Sequence, residues 1–335
     1  MANIKDVAEH AKVSITTVSH VVNGTRFVSE SNRLRVAEAV HALGYVPSAI
    51  ARSLKNNSTR TLGVIIPNNS NPYFAEIVRS VEARCFAAKY NLILCNSNDD
   101  PVRQASYLRV LAEKRIDGLV LVATGSEAVV RATLGDIKIP LVLLDRDVAG
   151  LANCDLVEVN HTIGGEIATR HLLELGHRRV ACISGPPGLS PSSQRRAGWA
   201  QALDAQGIEH KETDLARGDF TPQSGYLAMQ ILLKRKPYPT AIFVCNDLMA
   251  FGALTAAREA GLRVPEDLSI VGFDDIELAA FSSPSLTTVV QPKTEIGTLA
   301  AQMLLERVAA EGGEPRRVLL DPQLKIRTST TRAKP

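Results

Sequence analysis

From Thr61 onward the chain alternates short apolar runs with amphipathic stretches; the runs are Leu62 to Ile66, Leu92 to Cys95, Gly118 to Ala123, Pro140 to Leu144, Val180 to Ser184, Ala241 to Cys245 and Leu268 to Phe273. A run that is apolar at nearly every position cannot leave one face in water, so these predict strands of parallel sheets covered by helices on both sides. The stretches Tyr73 to Lys89, Thr162 to Leu175 and Asp247 to Ala260 are long enough for the right-handed crossovers such sheets need. The strands are too many for one comfortable sheet, and 335 residues exceed what a single hydrophobic core usually sustains. The expected body, 61–335, is therefore a pair of α/β subdomains, about 61–160 with 291–318 and 161–290 with 319–335. Ligands in such folds bind beyond the carboxyl ends of the strands, here in the cleft between the subdomains.

Residues before Thr61 are helical in pattern only. Ile4, Val7, Ala8 and Ala11 recur at helical spacing, Lys12-Val13-Ser14 makes a turn, and Ser14 can cap a second helix carrying Val18, Val21 and Val22. A third run from about Ser29 to Leu43 stops at Gly44. In the first pair the small and β-branched residues pack the helices together. Thr16, Thr17, Ser19 and His20 are left facing outward near the start of the second helix, where a helix-turn-helix meets base edges. The charge points the same way, because residues 1–60 hold 8 Lys/Arg against 4 Asp/Glu while the rest of the chain holds 30 against 31. A polyanion partner is expected at that end. Between head and body, Pro47 to Ser58 can start a helix, but one of eight or nine residues is marginal alone. It reads either as a linker or as a helix formed with a partner.

Other classes of protein fit poorly. Neither a signal-peptide stretch near Met1 nor a run of about 18 apolar residues is present, which predicts a cytoplasmic protein with no membrane partner. Cys85, Cys95, Cys154, Cys182 and Cys245 sit singly in apolar runs, as buried reduced thiols do. No Gly-x-Gly-x-x-Gly follows the first strand, and no Gly-Lys phosphate loop or Gly-x-Ser-x-Gly elbow occurs. His161, His171 and His177 lack zincin spacing and read as basic loop surface. Catalytic residues, metal and cofactor are all expected to be absent.

Asp6-Val7-Ala8, Val13-Ser14, Thr17-Val18-Ser19, Val21-Val22-Asn23, Gly44-Tyr45 and Ala51-Arg52-Ser53-Leu54 together resemble the lactose/galactose repressor family of bacterial transcription regulators. The likeness runs through almost the whole chain and is nearest to purine and ribose operon repressors, which share the surroundings of Thr25-Arg26-Phe27-Val28 and Pro47-Ser48. It implies an all-α helix-turn-helix head at 1–46, a hinge helix and linker at 47–60, and a periplasmic-binding-protein-like body. It also implies a homodimer on double-stranded operator DNA, with recognition helices in successive major grooves and hinge helices on the minor groove. By the same resemblance Thr16, His20, Arg26 and Lys55 read bases, Ser14, Thr17 and Asn23 anchor phosphates, and Ser19 and Ala51 complete the contacts. The residue matching Leu54 is inserted between central base pairs, where an apolar wedge unstacks a step and kinks the duplex. The tail after Arg327 lacks a leucine heptad, so a dimer is expected rather than a tail-assembled tetramer.

In the body Asn71, Tyr73, Phe74, Asp145, Arg146, Arg195, Phe220, Asn246, Asp274 and Gln291 mostly follow strand ends. Carboxylates and guanidinium groups suit neighbouring hydroxyls, and aromatic rings cover apolar sugar faces. These positions resemble the sugar pocket of periplasmic ribose-binding proteins, with Tyr73 in place of the usual Phe. The segment Asp274 to Ala279 also looks like ribose operon repressors, although Arg146 stands where many of them carry Trp. The resemblance thus implies ribose or a close pentose as an inducer that loosens the hinge. Purine repressors share Tyr73-Phe74, which makes a nucleobase corepressor the alternative; a transport receptor with the same body is a weaker one.

Overall fold

The computed structural model describes residues 2–46, 58–135, 137–148, 151, 154–310 and 313–334. The hinge residues Ala51, Arg52, Leu54 and Lys55 lie outside them. The chain divides into two units, Met1–Thr59 and Arg60–Pro335.

In the first unit, α1 (Ile4–His10), α2 (Ile15–Asn23) and α3 (Glu30–Ala42) surround a core of Val7, Ala8, Ala11, Val18, Val36 and Ala39. Side chains this small let three short helices approach closely, and each start is set locally. The Asn3 side chain accepts from the Lys5 N–H at 2.8 Å while the Asp6 carboxylate accepts from the Asn3 N–H at 2.8 Å, a reciprocal cap for α1. Ser14 Oγ accepts from the Thr17 N–H at 3.1 Å to start α2, and Gly24, with φ of 61°, ends it in the left-handed region.

The second unit continues as β1 (Thr61–Ile66), α4 (Pro72–Ala87), β2 (Asn91–Asn96), α5 (Pro101–Glu113), β3 (Gly118–Val122), α6 (Glu127–Leu134), β4 (Leu141–Leu144) and β5 (Asp155–Val159). It then forms α7 (His161–Glu174), β6 (Val180–Ser184), α8 (Ser190–Asp204), β7 (Leu215–Arg217), α9 (Pro222–Leu233), β8 (Ala241–Val244) and α10 (Asp247–Glu259). Last come β9 (Ser269–Asp274), β10 (Thr287–Val290), α11 (Lys293–Ala309), β11 (Arg317–Leu320) and β12 (Gln323–Lys325). One sheet has the order β11-β5-β4-β3-β1-β2 and the other β12-β10-β9-β8-β6-β7. All described pairings are parallel except β10 with β12. The chain therefore crosses between sheets three times, after Val159, after Val290 and after Leu320.

All seven apolar runs form strands, but five further strands escape the pattern. Asp155 and Glu158 interrupt β5, Arg317 opens β11, and Thr287 and Thr288 occupy half of β10; β7 and β12 have only 3 residues each. Asp155 is buried because Arg307 and Arg316 reach it at 2.6 and 2.7 Å, fastening β11 against β5. Arg317–Leu320 pairs throughout with β5, so a boundary at 318/319 is corrected: the last return to the second sheet follows Leu320. The histidine reading is also corrected. His161, His171 and His177 are all buried, the last between Thr240, Ser269 and Thr331 O, because these rings pin buried polar groups rather than face solvent.

Candidate functional site

Both sheets deliver their carboxyl ends to one cavity of about 130 Å³. Asn71, Tyr73, Phe74, Asp145 and Arg146 come to it from the first subdomain, and Arg195, Phe220, Asn246 and Asp274 from the second. Larger depressions of about 600 and 670 Å³ lie at the amino ends of β8 and β9 and outside α10, away from the strand ends where such folds bind ligands.

Local backbone sets these side chains. Asp145 and Asp274 leave β4 and β9 with φ of 62° and 110°, and Phe220 follows β7 with φ of 68°. Non-glycine residues in that region carry strain that persists only where surroundings hold it. For Phe220 the holding is visible: a Cβ on Gly185 would come within 2.2 Å of its ring, and its carbonyl accepts from Asn246 Nδ2 at 3.1 Å. Asn71 and Asn246 double as helix caps, accepting from the Tyr73 and Met249 N–H groups at 3.0 and 2.9 Å.

The charged groups are nearly dry. Arg195 and Arg146 are each 4% exposed and Asp274 is 3% exposed. Arg195 lies over the Phe273 ring at 3.8 Å, donates from Nη1 to Cys245 O at 2.6 Å, and stands 3.5 Å from Asp274 Oδ1. Arg146 donates to Gly125 O at 2.5 Å. Burial pushes the Asp274 carboxyl up to about 6, against the lowering influence of Arg195 and the Gln291 hydrogen bond. Gln291 stands apart from the other candidates: it does not line the cavity. Its amide accepts from Tyr73 Oη at 3.1 Å and donates to Asp274 Oδ1 at 2.7 Å, tying one subdomain to the other. The Tyr73 hydroxyl is thus committed to Gln291. Asp247, next to Asn246, also turns away and accepts from Ile276 N and Thr288 Oγ1 at 2.9 and 2.6 Å.

Pro67, Asn68, Asp99, Thr124, Leu189, Pro191, Asp219 and Thr221 line the cavity without standing out in the sequence. The strand-end rule could have found Asp99 and Thr124, which follow β2 and β3. Burial and the Asp219 charge across the cleft raise the Asp99 carboxyl. His161, between Asp145 and Arg195, is a further residue that sequence reasoning missed.

In the head, Thr16 and Arg26 are exposed. Ser14 and Thr17 share their hydroxyls at 2.9 Å, His20 Nδ1 lies 2.8 Å from Thr25 Oγ1, and Asn23 Nδ2 donates to Ser19 O at 2.8 Å. The candidate DNA contacts are consequently gathered on α2 and the turn after it, with several held by bonds to one another. Among the described residues no group of His, Cys, Asp or Glu could hold a metal, and no helix is long and apolar enough to cross a membrane.

A helix-turn-helix joined to a two-subdomain body with a polar cleft is the architecture of a ligand-responsive regulator. Comparison with known proteins gives the family. The model for bacterial regulatory proteins of the lacI family matches residues 3–48, and that for the periplasmic binding protein-like domain matches residues 169–330. The HTH-type transcriptional repressor PurR of Photorhabdus laumondii subsp. laumondii is 44% identical over 330 residues, spanning 98% of this chain and 97% of its own length. The lac repressor dimer bound to operator and the anti-inducer ONPF superposes with a TM-score of 0.87 at 29% identity, covering 98% of this chain and 99% of that one. A LacI family regulator from Enterococcus faecium with bound ribose has a TM-score of 0.74 at 30% identity, covering 82% of this chain and 100% of that one. The chain belongs to the lacI family of bacterial regulatory proteins and is a ligand-responsive transcriptional repressor, not an enzyme.

Proposed function

We propose that this repressor is released from its operator by ribose or a close pentose bound in the cleft. The observation that carries the reading is the donor set: two carboxylates and two guanidinium groups, nearly all desolvated, around a cavity of about 130 Å³ flanked by Phe74 and Phe220. Carboxylates only accept and guanidinium groups only donate, so the best occupant offers both functions at each of several atoms. Hydroxyls of a small polyol do so, and the rings cover its apolar face. The ribose-bound Enterococcus faecium regulator supports this. The 44% identity to PurR favours a second reading, a purine that tightens operator binding as corepressor.

The head at 1–46 reads DNA, 47–60 forms the hinge, and 61–335 senses the effector and pairs two copies, as in the lac repressor dimer. The protein works in the cytoplasm, where its operator lies. Effector binding shifts one subdomain against the other and so biases the hinge. A thermal-shift screen of the full chain against pentoses, hexoses and purines tests the assignment, since a ligand at about 100 times its Kd stabilises the folded form by about 2.7 kcal/mol. Pentoses are expected to raise Tm; a rise with purines alone would favour corepression.

Leu54 is the proposed minor-groove wedge. Burying a Leu side chain is worth about 1.5–3 kcal/mol, so Leu54→Ala is expected to weaken specific operator binding roughly 10- to 150-fold and reduce bending. Binding to non-specific DNA should change little. Gel-shift and bending assays on both DNAs check this, and wild-type bending by the mutant would remove Leu54 from the role.

A further inference from the structure

His161 joins the two halves of the cleft. Its backbone opens α7 directly after β5, at the first crossing between the sheets, and it is 1% exposed. Its Nδ1 lies 3.3 Å from Arg195 Nε, and its Nε2 lies 2.8 Å from Asp145 Oδ1. A guanidinium group can only donate and a carboxylate can only accept, so both bonds form in one state of the ring. That state is neutral imidazole with the lone pair on Nδ1 and the proton on Nε2. A protonated ring would set its Nδ1–H against the Arg195 Nε–H. Burial, the main cause, and the Arg195 charge both hold the ring toward neutrality, against the opposing pull of Asp145.

We propose that His161 is a positioning residue for the effector, fixing Asp145 from one subdomain and Arg195 from the other at a set spacing across the cavity. Each partner has one atom left over. Asp145 Oδ2 and Arg195 Nη2 make no hydrogen bond within the described residues, while both residues line the cavity. The Phe273 ring supports the arrangement from beneath, 3.8 Å from the Arg195 guanidinium and 5.9 Å from the imidazole centroid. Both bonds of His161 are made together only when β4 and α8 hold this mutual placement. The imidazole therefore favours the arrangement in which the two free atoms face one ligand. Gln291 makes the corresponding tie at the second crossing, between Tyr73 and Asp274.

The inference rests on the reading that Asp145 and Arg195 contact the effector, and the test separates the two. In the full chain, His161→Ala deletes both bonds, His161→Gln can keep the donor to Asp145, and His161→Asn can keep the acceptor for Arg195. Calorimetric titration with ribose is expected to show about a tenfold or larger loss for the Ala variant and smaller losses for the other two. Tm and ligand-free operator affinity should stay near wild type. Wild-type ribose affinity in the Ala variant would overturn the proposal, as would equal losses in all three variants that track their Tm. A readout free of any effector is the imidazole ¹⁵N spectrum of the full chain, assigned by loss of the His161 signals in the Gln variant. The Nε2–H tautomer near neutral pH is expected; the Nδ1–H tautomer or the imidazolium would overturn the proposal. If wild type binds hypoxanthine or guanine instead of ribose, the pentose reading fails and the same variants titrated with that purine decide for or against His161. If it binds none of these, the tautomer decides.

Discussion

Asp274→Ala is expected to lower pentose affinity roughly 10- to 150-fold, the worth of about 1.5–3 kcal/mol for a charge-assisted hydrogen bond in a shielded site. The residue is 3% exposed, and its carboxylate already holds Gln291 at 2.7 Å, so the loss also frees the tie to Tyr73. Ligand-free operator binding should survive, because the change lies in the body. The carboxyl titrates at about 6 in the empty cleft, and this gives the prediction a sign in pH. Since the folded-state value is raised, protonation stabilises the empty body as pH falls through that value, whereas a sugar hydroxyl is best accepted by the ionised form. Pentose affinity should therefore fall as pH is lowered from about 7.5 to about 5.5. Asp274→Asn should bind weakly throughout with a flatter profile, and calorimetry of the three proteins across that range checks both statements.

Operator affinity is expected to fall by about 10³ to 10⁵ when salt rises from about 50 to about 200 mM, provided that six to ten phosphates are neutralised. Lys5, Arg26, Arg33 and Arg35 are exposed in the head, Arg52 and Lys55 add to them in the sequence, and a dimer presents each twice. Cations released from the DNA drive this term, so the plot of log affinity against log salt should be linear. Arg26→Ala should reduce its slope by about 1 for each phosphate that this side chain neutralises in the wild type. A flat plot would remove the electrostatic account of the head.

The sequence displays most of the architecture because the strands that form the centres of both sheets are buried on both faces and so written in continuous apolar letters. Strands at or near the returning edge are not. β5 carries Asp155 because Arg307 and Arg316 neutralise it from α11 and the segment before β11, a compensation from more than 150 positions away that no local pattern contains. The cleft residues are legible where they follow strand ends, as Asp145, Asn246 and Asp274 do. Gln291 is legible as a site residue but not in its role, since only the fold shows its amide spent between Tyr73 and Asp274. His161 reads as surface in the sequence because one imidazole after a strand has many uses, and its two partners lie 16 and 34 positions away.

The most direct test is to titrate ribose into the full chain by calorimetry and, in parallel, into the complex with its operator while following DNA release. Saturable binding together with release over the same concentration range is predicted. No binding of ribose, with guanine or hypoxanthine binding instead and tightening the DNA complex, would contradict the account and establish a purine corepressor in its place.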